Sequence, residues 1–510
     1  MPDIEHVSPH LIRSAFSSAM SEMYKKEVPA YGTLMDLVGS VNQRKLEEDA
    51  ELRSRLADTG NLDRISAERH GAIRLGTANE LAMMRRIFAV MGMRPVGYYD
   101  LSEAGVPVHA TAFRPVDNEA LKTNPFRVFT SLLRLDLISD ASLRQEATVI
   151  LEQRNIFSER VIELTNSAER DGGLSAGDAK HFVSEVLEIF RWHDKAIVNA
   201  DLYKRLHDAH RLLADVVSFR GPHINHLTPR TLDIDEVQSK MPACGISPKA
   251  FVEGPPTRNC PVLLRQTSFK ALVERVAFRD EVGGWQPGFH TARFGEIEQR
   301  GIALTPKGRA LYDELLASTR KFIKPAGDGS NAKEYVNALS DSFKEFPDTW
   351  EMIRAEGLGY FSYSLTNKER QEREVIDFDT EALIKSGVLR YDPIVYEDFL
   401  PVSAAGIFQS NLGDNAQQEF SASPSQLKFE AALGEHVLNE FEYYAKMQVE
   451  SLERCKKVLL QEADGRNQHR KGHHFRDYHL HLDGHGDEIV AMADDIAECS
   501  SDNERSRRQR

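Results

Sequence analysis

Apolar residues recur at three- and four-residue spacing in HLIRSAFSSAMSEMY and YGTLMDLVGSVNQRK, which predicts an N-terminal helical region over residues 1–65. The pattern then changes period. Over residues 66–138 the segments HGAIRLGT, TANELAMMRRIFAVMG, RPVGYYDL, VPVHATAFRPV and RVFTSLLRLDLI read, by alternation, length and β-branched content, as strand, helix, strand, strand, strand. Residues 218–304 give the same order again in PHINHLTPRTL, IDEVQSKM, SPKAFVEG, CPVLLRQTSF and FHTARFGEIEQRGIAL. The copies share almost no residue identity, so the repeat is one of element order.

Between the copies, residues 139–217 show helical periodicity in SLRQEATVILEQRN, DAKHFVSEVLEIFRWH and NADLYKRLHDAHRLLADVV, and read as an insertion or covering layer. Residues 305–463 begin with helical PKGRALYDELLASTRKFI and NAKEYVNALSDSFKEF. They continue through mixed GYFSYSLT and LIKSGVLRYDPIVYEDFLPVSAAGIFQ, a C-terminal α/β region expected to pack on the modules. Residues 464–510 turn polar, His-rich and charged, the composition of a disordered tail. The expected class is α+β, with paired βαβββ modules and added helical regions. Each module makes a short curved sheet with one apolar face, and two side by side enclose a cleft that neither forms alone.

At 510 residues the chain exceeds one ordinary core, and its 41% hydrophobic and 28% charged residues are those of a globular protein. A formal charge of −14 argues against a nucleic-acid partner, which needs a basic footprint. The opening MPDIEHVSPH lacks an apolar signal core, and no run of about 18 apolar residues occurs, so no membrane association is expected. Cys244, Cys260, Cys455 and Cys499 lie far apart without a CxxC pair, which fits a reducing, cytoplasmic setting.

Against this background, His70 opens the first strand of one copy and His226 falls in the first strand of the other. In ARFGEIEQRG, alternation puts Phe294, Glu296 and Glu298 on one strand face. Two imidazoles and one carboxylate would leave a divalent ion three open positions, the facial arrangement of non-haem iron(II) oxygenases. Two open positions chelate a 2-oxo acid, and the third takes dioxygen. The plainer readings stand beside this one. With 18 histidines in the chain a given one is more often a surface or hydrogen-bonded residue, Glu296 has ion-pair partners in Arg293 and Arg300, and Glu298 is a rival ligand. Arg74 shares the face of His70 and suits a bidentate grip on a substrate carboxylate; a surface salt bridge to Glu80 is its alternative.

Two other signals carry less. HLHLDGHGD, with His479, His481, Asp483, His485 and Asp487, imitates a metallo-hydrolase motif, but Gly484 stands where HxHxDH requires histidine. GDGSNA near Asp328 and GPPTRNCP from Gly254 read as turns, not nucleotide loops.

Together HGAIRLGT, INHLTPRTLDID, HTARFGEIEQRGIALT and DFLPVSAAGIFQSNL resemble the 2-oxoadipate dioxygenase/decarboxylase family, also called 2-hydroxyglutarate synthases, over roughly residues 10–455. That family belongs to the vicinal oxygen chelate superfamily, whose βαβββ modules match the order above. The resemblance implies His70, His226 and Glu296 as ligands of Fe(2+). The related 4-hydroxyphenylpyruvate dioxygenases carry their carboxylate ligand in a strand ending Glu-x-x-Gln-Arg, which favours Glu296 over Glu298. It also implies Arg74 on the distal carboxylate of the substrate, with Val402 and Ser403 lining that end of the pocket. The implied reaction turns 2-oxoadipate and O2 into 2-hydroxyglutarate and CO2, a step in lysine breakdown. An extradiol dioxygenase, a manganese or zinc lyase, or a non-catalytic binding protein on the same scaffold are the competing expectations.

Overall fold

Strand β1 (Arg69–Leu75) is buried along its whole length, because it has a neighbour on each edge and a packed layer on each face. This computed structural model describes residues 6–102, 105–280, 282–326, 329–366, 378–400 and 425–470, with backbone alone over 461–470. The chain divides into a unit of residues 1–370 and 380–453 and a second of residues 371–379 and 454–510. The second unit is described only at 378–379 and 454–470, where it forms the C-terminal part of the helix Glu440–Arg470. All that follows concerns the first.

After β1, a capping box starts the helix Ala78–Val90: Thr77 accepts from the Glu80 amide, and Glu80 accepts from the amides of Gly76 and Thr77. Strands β2 (Arg94–Asp100), β3 (Val108–Arg114) and β4 (Arg127–Leu133) follow. Strand β4 returns to lie parallel to β1, giving the order β2-β3-β4-β1 of one βαβββ module. Along β1, Ile73 and Leu75 enter the main hydrophobic core, so His70, Ala72 and Arg74 take the opposite face.

The intervening helices Ala141–Gln153, Glu159–Asp171, Ala176–Ile189, Ala200–Ala209 and Arg211–Ser218 agree with the helical insertion, with two differences. A strand, β5 (Lys195–Asn199), lies among them. The expected single helix NADLYKRLHDAHRLLADVV breaks at His210, whose backbone is extended and whose ring caps the Leu212 amide.

The second module starts at β6 (Leu227–Pro229), antiparallel to β1 with His70 opposite Thr228. A helix, Ile234–Lys240, leads to β7 (Leu264–Ser268). SPKAFVEG, expected as a full strand, makes only two bridges to the β7 region, Pro248 to Phe269 and Glu253 to Gln266. FHTARFGEIEQRGIAL, expected as one strand, is divided. A hairpin of β8 (Val273–Arg279) and β9 (Trp285–Thr291) joins β5 in a separate sheet, and β10 (Glu296–Arg300) alone pairs with β7. Arg230 bridges Glu298 in parallel, as β1 runs with β4 in the first module. The two modules therefore meet edge to edge through β1 and β6.

Helices Pro9–Glu27 and Pro29–Glu48 cover the shared core. Beyond β10, helices Pro306–Phe322 and Ala332–Ser342 and the hairpin of β11 (Phe361–Leu365) with β12 (Leu389–Pro393) make the α/β region expected there. Among the described residues no helix is long and apolar enough to cross a membrane.

Candidate metal centre

Three chain segments deliver the centre. His70 comes from β1, His226 from the residue before β6, and Glu296 from the first residue of β10. Two glycines allow the approach. A Cβ on Gly71 would stand 2.7 Å from Cδ1 of Ile224, a side-chain end that would have to shift, and 3.4 Å from the carbonyl of His226, so the bare backbone here suits the close passage of the 224–226 segment. A Cβ on Gly295 would stand 1.9 Å from the Phe269 ring, immediately before Glu296. Tyr24 then ties both segments together, its hydroxyl 3.0 Å from the Asn225 carbonyl and 2.7 Å from that of Phe294.

Among the described residues, His70, His226 and Glu296 form one buried group whose potential ligand atoms all lie within 4.8 Å of one another. His70 Nε2 is 3.1 Å from Glu296 Oε1, and His226 Nδ1 is 3.9 Å from the same oxygen. Gln266 Nε2 donates to Oε1 at 2.8 Å, and the Thr228 hydroxyl at 3.2 Å. The other carboxylate oxygen, Oε2, is buried with no hydrogen-bond partner. A buried carboxylate oxygen without a donor is costly unless a cation meets it. The donor set of two nitrogens and one oxygen therefore fits a divalent transition metal.

Each imidazole has a polar neighbour beyond it on the Nδ1 side, hydrogen-bonded at His226 and at contact distance without an aligned hydrogen bond at His70. Because the Thr228 hydroxyl hydrogen goes to Glu296, its lone pair takes Nδ1–H of His226 at 2.9 Å, which leaves Nε2 as the donor of that ring. His70 Nδ1 stands 2.9 Å from Glu298 Oε2. Glu298 is held in turn by both ends of the Arg300 guanidinium, each at 2.8 Å. Alternation along the strand placed Glu296 and Glu298 on one face, and both do reach His70, one at each nitrogen. Phe399 closes over His70 at a ring separation of 4.9 Å, and Phe294 stacks on His226 at 4.8 Å.

These contacts set the charges. Burial pulls the His70 imidazole down, but Glu298 and Glu296 outweigh it and hold its pKa above the ordinary value. At His226 burial dominates and, helped by the charges of His70 and Arg74, pushes the pKa down to about 4 in spite of Glu296. Burial raises Glu298, yet Arg300, His70 and Arg127 together bring its carboxyl far below the usual range.

Arg74 is buried on the same face of β1 as His70 and pairs with Asp215 through Nη1. The alternative of a surface bridge to Glu80 does not form, since Glu80 caps its own helix and binds Arg154 at 2.8 Å. Asp215 also faces two imidazoles, His290 Nε2 at 2.9 Å and His223 Nε2 at 3.2 Å. Nothing in the local sequence marked Asp215, because it sits in an amphipathic helix far from Arg74 along the chain. Val402, Ser403 and the HLHLDGHGD motif lie outside the described residues.

A wider charge network frames the centre. Four buried guanidiniums, of Arg64, Arg127, Arg230 and Arg300, meet the buried carboxylates of Glu68, Glu298 and Glu397. Next to it, Arg114 grips Asp398 at 2.6 and 3.0 Å. The contacts join Glu68 just before β1, Arg230 just after β6, β3, β4, β10 and the 397–399 segment that carries Phe399.

One complete βαβββ module and a second built of β6, a helix, β7 and β10 are joined edge to edge, with two histidines and a glutamate buried at the joint as a potential metal centre. Residues 16–411 match the 2-oxoadipate dioxygenase/decarboxylase family, and the chain belongs to it. It is 57% identical over 461 residues to the Pseudomonas putida 2-oxoadipate dioxygenase/decarboxylase, covering 90% of this chain and 99% of that one. The Escherichia coli protein of the same name is 54% identical over 446 residues, 87% of this chain and 97% of the other. Among solved structures, hydroxyglutarate synthase from Pseudomonas putida in complex with 2-oxoadipate aligns with a TM-score of 0.82 at 55% identity, over 89% of this chain and 99% of that one.

Proposed function

We propose that this chain is an iron(II)-dependent dioxygenase that oxidatively decarboxylates 2-oxoadipate and hydroxylates the product to 2-hydroxyglutarate, releasing CO2. The observation that carries the reading is the buried convergence of His70, His226 and Glu296 around a carboxylate oxygen with no donor. A relative of high identity is described in complex with 2-oxoadipate, which supports the substrate class. In this reading His70 Nε2, His226 Nε2 and Glu296 hold the ion. Bound there, iron(II) supplies a chelation point for the 2-oxo acid and the electrons for dioxygen chemistry.

The chain supplies the rest. Thr228 and Glu298 hold the two rings, and Gln266 fixes Glu296. Phe399 and Phe294 exclude water from the histidines. Arg74 binds the distal carboxylate of the substrate, with Val402 and Ser403 at that end, and Asp215 orients its guanidinium. A cytoplasmic setting and a place in lysine catabolism complete the reading.

The test is oxygen consumption by purified protein supplied with iron(II) and 2-oxoadipate, with the product identified. Uptake of O2 with formation of 2-hydroxyglutarate is expected, and His226→Ala should abolish both turnover and stoichiometric iron binding. Absence of O2 uptake with every 2-oxo acid tried would overturn the reading in favour of a lyase or a binding protein. Uptake with catechols alone would point to extradiol chemistry.

A further inference from the structure

Glu298 has no place among the proposed ligands, yet it is fully buried, two residues from Glu296 on the same strand face. Its Oε2 lies 2.9 Å from His70 Nδ1, while Nε2 of the same ring faces Glu296 at 3.1 Å. The two nitrogens of one imidazole are thus bracketed by two carboxylates of one strand. Only the Glu296 carboxylate keeps an oxygen without a donor. Both oxygens of Glu298 are taken by Arg300, and Arg127 Nη1 stands 3.8 Å from Oε1. The two carboxylates have therefore divided their work. One is open toward the centre, and the other is locked from behind by guanidiniums and turned toward a ring nitrogen.

The asymmetry with His226 is informative. The outer partner of that ring is a neutral hydroxyl, Thr228, whereas the partner of His70 is a carboxylate fixed by Arg300. A carboxylate 2.9 Å from Nδ1, close by distance though not aligned as a hydrogen bond, draws the ring proton to that nitrogen and so favours Nε2 as the nitrogen offered to an ion. A glutamate with only a structural role would need Arg300 but would have no need to reach His70.

We propose that Glu298 is a positioning residue for metal capture: with Arg300 behind it, it holds His70 so that Nε2 is presented to the ion. The proposal rests on the reading that His70 is a metal ligand.

The experiment measures Co(II) affinity of the full-length protein, freed of metal, by titration in competition with a chromogenic chelator. The Co(II) absorption bands report the geometry of the centre. Glu298→Gln should weaken Co(II) binding by about 10- to 100-fold and change the bands, while the far-ultraviolet circular dichroism stays that of the parent. Glu298→Asp keeps the charge against Arg300 but draws the oxygen back from Nδ1, and should weaken binding in the same direction. It also serves if Glu298→Gln does not fold. In a His70→Ala background, already weak for Co(II), Glu298→Asp should have less than about a threefold further effect, because the pair acts as one unit. Unchanged affinity and bands in both Glu298 variants would overturn the proposal. So would an equal loss with and without His70, which would mark a structural role. If His70→Ala itself binds Co(II) like the parent, it is the assignment of His70 as a ligand that fails, which is distinguishable from failure at Glu298.

Discussion

Arg74 is the residue whose role most depends on its surroundings. It lies inside the protein, with Asp215 against Nη1 and the charge of the guanidinium felt at His226. A guanidinium has five donors, so an ion pair with one carboxylate is compatible with gripping a second, and the two imidazoles on Asp215 keep that carboxylate from turning away. Arg74→Ala should raise KM for 2-oxoadipate by the worth of a charge-assisted contact, about 1.5–3 kcal/mol, and leave turnover of a monocarboxylic 2-oxo acid little changed. Steady-state kinetics with the two substrates checks this; equal losses on both would take Arg74 out of the distal site. At this scale the sequence spoke in part. Strand position put His70 and Arg74 on one face and Glu296 and Glu298 on another, but it did not choose between the two glutamates, which only the family resemblance did, and His226 falls one residue before β6. Tyr24, Asp215 and Phe399 were not legible, because their contacts join segments that no local period connects.

Strands and helices were legible to the degree that one face was apolar. The four strands and the main helix of the first module came through, since β1, β3 and β4 are buried throughout and the capping box marks its helix, whereas the short helix Asn118–Thr123 between β3 and β4 did not. The hairpin β8–β9 was missed because half of its residues are exposed and Pro287 and Gly288 interrupt the strand signal. The break between β9 and β10 falls at Arg293, which is drawn aside by Glu274 and Glu27, and at Gly295, which lies against Phe269. Gly295 thus sets where the ligand strand begins. Gly295→Ala should destabilise the protein by about 1–3 kcal/mol in urea denaturation, as overpacking does, and weaken metal binding along with it, because the Phe269 ring is fixed and β10 must move instead. Stability and metal affinity equal to the parent would contradict that account of the joint.

For the molecule as a whole, buried titratable groups dictate how the metal-free fold responds to acid. His109, His210 and His226 are each pushed down to about 4, mainly by burial. The unfolded chain therefore binds more protons than the folded one between about 6.5 and 4, and stability present above that window is lost as pH falls through it. For an imidazole as deeply buried as His109 the loss is about 3 kcal/mol. Glu397, brought down to about 2 by Arg64 and Arg127 against its burial, adds a further loss below about 4.5. Glu440 opposes them: burial and Asp398 raise it to about 7, so its contribution is present below 4.5 and disappears as pH rises through 7. His70, held above its ordinary value, and the raised carboxyls of Glu27 and Glu253 side with Glu440, but the depressed imidazoles, His193 and His223 among them, leave the balance on the side of acid lability. Urea midpoints of the metal-free protein should fall steadily from pH 7 to pH 4, and His109→Asn should flatten that slope; a midpoint constant over this range would refute it.

The order of the ligands along the chain has a consequence for biosynthesis. A nascent chain exposes His70 early and His226 long afterwards, and Glu296 only once the β8–β9 hairpin has been made. Until β10 pairs with β7, the ribosome holds two imidazoles from two half-built modules and no carboxylate between them. If an ion is held by all three side chains, its capture follows the pairing of β10 with β7, and a chain stopped before that pairing lacks the carboxylate.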